Sequence, residues 1–301
     1  MAKIGKPACA APTGDRCGEG AVWHEGENAL YWCDINRFLI HRFDEKDKHV
    51  KTWLFDEPVT ALALTDRDDT LAVALGSGLI LWQPERDSRE NHGFRLPGWP
   101  RVRLNDGRPD PRGSFWVGSM RNNVNPDGSV GEDGGTDGVL FRIDPDGTIS
   151  EWRRGLGISN TLTWSPSEDR FYFADTLANE VRVYDYDNTT GAISEERLFL
   201  KDFPRGKPDG SAMDAEGYLW NCRYGGGSIV RVAPDGGVDR VIDMPVTNIT
   251  TCTFGGPDLT TLYVTTASNG AGASERLAGS VFFIETDVKG QRENRFRAHA
   301  R

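Results

Sequence analysis

The sequence predicts an all-β fold, a six-bladed β-propeller with four-stranded blades around a central channel, on three observations. Six strand-like runs resemble one another: Leu30-Tyr31-Trp32-Cys33-Asp34, Leu71-Ala72-Val73-Ala74-Leu75, Phe115-Trp116-Val117-Gly118-Ser119, Phe171-Tyr172-Phe173-Ala174-Asp175, Leu219-Trp220-Asn221-Cys222-Arg223 and Leu262-Tyr263-Val264-Thr265-Thr266. They recur roughly every 40–55 residues, the period of a propeller blade. Tight-turn chemistry lies between strands, as in Pro111-Arg112-Gly113, Ala215-Glu216-Gly217 and the Pro-Asp-Gly turns at 145–147 and 234–236, where Pro presets φ and Gly accepts a left-handed backbone. The 301 residues include 35 Gly, 16 Pro and 9 Trp, a composition suited to many turns and to aromatic packing between sheets.

Each repeat has the same internal order. An inner strand opens it, as in Gly20-Ala21-Val22-Trp23, Ala61-Leu62-Ala63-Leu64 or Thr161-Leu162-Thr163-Trp164. The run quoted above is the second strand. A third follows, as in Leu39–Asp44, Leu79–Trp82, Val139–Asp144, Val181–Asp185, Ile229–Val232 and Val281–Ile284. Alternation of period two in Val181–Tyr184 and Ile229–Val232 is strand patterning. No amphipathic helix of convincing length occurs. One blade cannot bury both faces of its sheet, so a single domain over 1–301 is expected, with short extensions at about 1–14 and 289–301. The third repeat is the longest, because a Gly- and Asp-rich segment, 121–138, separates its second and third strands. It is expected as a mobile loop on the face where the inner strands begin, either a lid or a plain surface loop. Its acids do not follow EF-hand spacing.

Charge and cysteines narrow the function. A net charge of −10 argues against nucleic acid or an anionic membrane as partner. No run approaches the roughly 20 apolar residues of a membrane span. The N-terminal Met1–Pro7 has positive charge but no apolar stretch behind it, so it does not read as a secretory leader. The five cysteines, Cys9, Cys17, Cys33, Cys222 and Cys252, are odd in number and form no C-x-x-C, which points to reduced thiols and a cytoplasmic protein. The expected partner is a small molecule, and the expected state is a monomer or weak homo-oligomer.

The chemistry is sought at equivalent places in the repeats. About ten or eleven residues before each second strand stand Glu19, Thr60, Asn105, Asn160, Asp209 and Thr251. Each is expected just before an inner strand, at the mouth of the channel. Two carboxylates and two carboxamides at such positions suit a divalent cation, since buried charge is costly unless paired or metal-bound. Oxygen donors fit Ca²⁺, Mg²⁺, Mn²⁺, Zn²⁺ or Fe²⁺. Taken singly, each residue is equally the cap of a loop end. No H-E-x-x-H, G-x-S-x-G, Walker or dinucleotide motif is present. Gly76-Ser77-Gly78 reads as a hairpin turn, and Cys33 and Cys222 as core.

At these residues the chain resembles the regucalcin/gluconolactonase family of sugar-lactone hydrolases, six-bladed propellers. The matching motifs are Gly18-Glu19-Gly20-Ala21-Val22-Trp23, Arg103-Leu104-Asn105-Asp106-Gly107 with Asp110, Ser159-Asn160-Thr161-Leu162-Thr163-Trp164-Ser165, Pro208-Asp209-Gly210-Ser211 with Asp214 and Glu216–Trp220, and Thr251–Gly256 with Leu262–Thr265. The resemblance implies metal ligands at Glu19, Asn160 and Asp209, a sugar lactone held by Arg103 and Asn105, and a catalytic Asp209 that orients or activates water. It implies one divalent ion as cofactor, with hydrolysis of an aldonolactone to the aldonic acid as the reaction. Trp116, Met120 and Tyr224 are read either as an apolar wall under the sugar ring or as ordinary blade packing. The rival readings are a non-catalytic propeller that binds Ca²⁺ or another ligand, and a paraoxonase-like esterase. The lack of histidine at the channel-mouth positions disfavours the esterase.

Overall fold

The computed structural model describes residues 3–298, and among them every regular element is a strand. Twenty-four strands form six antiparallel four-stranded sheets. The first blade comprises Gly18–His24, Ala29–Asp34, Leu39–Asp44 and Val50–Leu54, ordered from the channel outward. The inner strands of the second to fifth blades are Val59–Leu64, Val102–Pro109, Ser159–Trp164 and Lys207–Met213. In the sixth blade, Ile249–Gly255, Thr261–Thr266 and Val281–Glu285 pair in sequence, and Ala8–Ala11 adds the outermost strand. This closure ties Ala8–Ala11 to the last blade, so the edge of Val281–Glu285 is not left unpaired.

Within the stretches expected as extensions, the described residues 3–14 and 289–298 therefore contact the blades, while 1–2 and 299–301 lie outside the described residues. The C-terminal segment adds a bridge from Phe296 to Thr65 and one from Gly290 to Asp214. Phe296 is fully buried, and its ring lies against Phe115 and His92.

The burial pattern follows the radial position of each strand. The inner and second strands are buried almost throughout, while outermost strands such as Ile149–Leu156 and Ala192–Lys201 are largely exposed. Large aromatics fill the spaces between blades. Trp116 is fully buried against Trp152, Trp164 and Phe171, with ring centroids 5.2–6.2 Å apart. It is thus blade core and not a wall of the channel. Two of the motif acids are structural in the same way. Asp110 accepts the backbone N–H groups of Arg112 and Ser114 and the indole N–H of Trp116. Asp214 does the same for Glu216, Tyr218 and Trp220. Each carboxylate closes the inner hairpin of its blade and satisfies a buried indole. All five cysteines are unpaired, and Cys33, Cys222 and Cys252 are buried.

Candidate functional site

Glu19, Thr60, Asn105, Asn160, Asp209 and Thr251 sit within the first four residues of their inner strands, rather than just before them. At every one of these places the pairing with the second strand slips, between Glu19 and Val22, Val59 and Ala61, Leu104 and Gly107, Asn160 and Thr163, Pro208 and Ser211, and Ile249 and Cys252. A bulge re-aims side chains out of the sheet's alternation, so six bulges turn six equivalent residues toward the channel. The backbone after two of them is left-handed, at Gly20 (φ 60°) and Thr161 (φ 52°). For a β-branched residue this conformation is strained and must be held by its surroundings. Thr161 Oγ1 donates to the carbonyl of Asp209 and lies 2.8 Å from Ser211 Oγ, which locks the fourth blade to the fifth at the site.

Glu19 and Asp209 are each 7% exposed. They reach each other from the first and fifth blades, close enough for their carboxyl groups to share a hydrogen bond. Burial pushes both carboxyls well above the usual range; the charge of Asp209 adds to this for Glu19, and the charge of Asp106 for Asp209. Among the described residues neither carboxylate forms an ion pair. Glu19 also accepts the neighbouring N–H of Gly20, at 3.0 Å.

The two carboxamides complete the ring by a directed chain of hydrogen bonds. Asn105 Nδ2 donates to the Ser159 carbonyl at 2.9 Å and to Asn160 Oδ1 at 3.1 Å. Asn160 Nδ2 donates to Thr176 Oγ1 at 2.8 Å, whose hydroxyl donates to the Pro208 carbonyl at 2.7 Å. The hydroxyl fixes the amide so that its oxygen faces Asn105, and that oxygen keeps a second lone pair. Two buried carboxylates lacking an ion-pair partner, joined by an oriented amide oxygen, fit an oxygen-ligated divalent cation. Among the described residues no three His, Cys, Asp or Glu side chains converge to hold a metal, so a cation there depends on the amide oxygen.

Arg103 is 5% exposed and spends most of its donors inside the protein. Its Nη1 donates to the Leu104 carbonyl (2.9 Å) and Asn105 Oδ1 (2.6 Å), while Nε and Nη2 both donate to Asn123 Oδ1 (3.2 and 2.8 Å). Burial lowers its pKa, against the charges of Cys17, Asp133 and Glu19, which raise it.

The segment 121–138 stands on the face expected, but it is not free. It forms a small hairpin with a bridge between Val124 and Val130. Val124 is buried in the cluster that contains Ile35 and Trp53. Asn36 Nδ2 donates to the Gly128 carbonyl at 3.0 Å. A Cβ at Gly128 would lie 2.0 Å from the Asn36 carbonyl oxygen, so only glycine allows this approach. The hairpin therefore reaches from the third blade to the first. Arg121 and Arg101 clamp its base through Asp137, at 2.9 and 3.1 Å.

Several residues of the site were given no orienting role by the sequence. Thr161, Thr176 and Asn123 orient the named groups. Half-buried Cys17 and Tyr224 lie near the acids; burial and the charges of Glu19 and Asp209 push the Cys17 thiol up, and burial followed by Cys17 and Asp209 raises the Tyr224 hydroxyl. Tyr224 thus borders the mouth, whereas Met120 is buried and pairs with Arg103 along the strands. Below the ring, the pair Arg108–Glu293 (3.2 Å) and Thr253 Oγ1 (2.9 Å from Glu293) hold the C-terminal segment against the inner strands.

Residues 17–268 match the family described as SMP-30/Gluconolactonase/LRE-like region. The chain is 35% identical over 297 residues to the pentonolactonase XacC of Haloferax volcanii, covering 94% of this chain and 95% of that protein. It is 33% identical over 295 residues to human regucalcin, covering 93% and 94%. The solved structure of a calcium-binding protein, regucalcin, from Agrobacterium tumefaciens superimposes with a TM-score of 0.90 at 25% identity, covering 97% and 98%. With most of its length matched by the family and by relatives of this identity, the chain belongs to the SMP-30/gluconolactonase/LRE-like family.

Proposed function

We propose that the protein is a divalent-metal-dependent lactonase that opens a sugar lactone to the aldonic acid. The observation that carries this reading is the buried pair Glu19 and Asp209, held on separate blades with no counter-ion among the described residues. Family membership and a relative named as a pentonolactonase support the substrate class. Glu19, Asn160 and Asp209 would hold the ion, which supplies Lewis-acid polarisation of the lactone carbonyl when bound.

The chain's own residues do the remaining work. Asp209 orients a water toward the carbonyl carbon and receives its proton as the new C–O bond forms. The acyl–oxygen bond of the ring then breaks, and the proton passes to the ring oxygen, which becomes the hydroxyl of the product acid. Asn105, whose two amide N–H groups are taken by Ser159 and Asn160, offers a sugar hydroxyl the remaining lone pair of its Oδ1, and Arg103 holds that amide in place. The hairpin 121–138 roofs this side of the channel and limits bulk water.

The test is a pH-indicator assay over a panel of aldonolactones, on protein stripped by chelator and reloaded with Ca²⁺, Mg²⁺, Mn²⁺ or Zn²⁺ separately. Acid release with at least one ion, lost on chelation, is the expected result. A binding-only reading draws on the solved relative described as calcium-binding. It predicts ion binding with no acid release from any lactone, and that outcome would overturn the proposal.

A further inference from the structure

We infer that Asn123 is a specificity-determining residue that restricts the site to uncharged lactones by capping the one carboxylate-binding edge of Arg103. The inference rests on the lactonase reading above. A guanidinium offers paired N–H groups that grip a carboxylate in a bidentate fork. In Arg103 the Nη1 donors face inward to Leu104 and Asn105. The Nε/Nη2 fork faces the hairpin, and Asn123 Oδ1 sits on it, accepting both donors.

The cap is fixed in polarity. Asn123 Nδ2 donates to Asp133 Oδ1 further along the same hairpin. An ionised carboxylate accepts and does not donate. Reversing the amide would set Asn123 Oδ1 against Asp133 and present its NH₂ group to the guanidinium, breaking bonds on both sides. Two carboxylates, Asp133 and Glu19, both contribute to the field at this arginine. A substrate carboxylate would have to displace Asn123 and then lie beside the charge of Asp133. Sugar hydroxyls carry no such penalty, and one Nη2 donor remains for them. Arg103 therefore orders the site without selecting for anions, although a buried arginine near a substrate channel would otherwise do so.

The experiment compares a neutral six-carbon aldonolactone with the lactone of the same ring whose terminal carbon is a carboxylate. It measures kcat/KM for wild type, Asn123→Ala, Asn123→Asp and Asp133→Asn, with melting temperature as the control for folding. Uncapping by Asn123→Ala should raise the anionic-to-neutral ratio by roughly tenfold, the scale of a charge-assisted hydrogen bond. Asp133→Asn lies on an exposed part of the hairpin and should raise the ratio by about threefold, a screened charge effect. Asn123→Asp should lower it. If wild type hydrolyses neutral lactones and the ratio stays within twofold in Asn123→Ala and Asp133→Asn, the capping role is wrong and the lactonase reading stands. If wild type hydrolyses no lactone with any ion, both are wrong.

Discussion

Glu19 of the first blade and Asp209 of the fifth present their carboxyl groups to each other in a buried setting, without an ion pair to either among the described residues. Burial and like charge both oppose ionisation there, so the proposed cation would relieve an electrostatically unfavourable pair. A divalent ion at a hundredfold excess over its Kd should raise the melting temperature by roughly 5 °C for a chain of this size. The double variant Glu19→Gln/Asp209→Asn should melt above metal-free wild type and show no ion-induced shift. An undiminished shift in that variant would place the ion elsewhere.

Asp209→Asn should separate binding from turnover. It removes one charged donor and also the group assigned to orient water and take its proton. At saturating metal, kcat should fall by about 10²–10⁴-fold, the range for loss of a general base, while ion binding persists at reduced affinity by calorimetry. Activity within a few-fold of wild type would exclude a catalytic Asp209.

Arg103→Ala tests whether this arginine works through Asn105. The substitution leaves the Leu104 carbonyl, Asn105 Oδ1 and Asn123 Oδ1 without their donor. The expected cost is about 1–3 kcal/mol of stability by urea unfolding, with kcat falling as well as KM rising because the Asn105 amide is released. Arg103→Lys should not rescue, since one ammonium cannot span the same acceptors. A variant with wild-type kcat and only a raised KM would instead make Arg103 a plain substrate contact.

Thr161 ties the fourth blade to the fifth. Thr161→Val keeps the side-chain shape but removes the hydroxyl that reaches the Asp209 carbonyl, Ser211 and Asn221. A loss of roughly 1–3 kcal/mol in stability should accompany weaker ion binding, because the strand carrying Asp209 loses its neighbour. Unchanged ion affinity would show that this bond serves folding alone.

The architecture was readable because each blade repeats the same turn and strand chemistry. Glu19, Asn105, Asn160 and Asp209 stand out in the sequence because they recur about ten or eleven residues ahead of each second strand, whereas Arg103 is named only by the family resemblance. What made them converge was not readable. The left-handed Thr161 and the six bulges leave no composition signal, since a bulge is a pairing event between two strands. Thr176 and Asn123 act through hydrogen bonds to residues 16 and 20 positions away in sequence. The hairpin reads as a free loop when its glycines and acids are weighed, yet buried Val124 and the close approach at Gly128 tether it. Ala8–Ala11 is too short to announce itself as a strand, and only the open edge of the sixth blade gives it a partner.

One divalent ion is proposed to sit among Glu19, Asn160 and Asp209. The most direct measurement is an anomalous difference map from crystals soaked in Mn²⁺. A single strong peak is expected roughly 2.0–2.6 Å from a carboxyl oxygen of Glu19, Asn160 Oδ1 and a carboxyl oxygen of Asp209. No peak at the channel mouth, or a peak bound by other residues while these three side chains diverge, would contradict it.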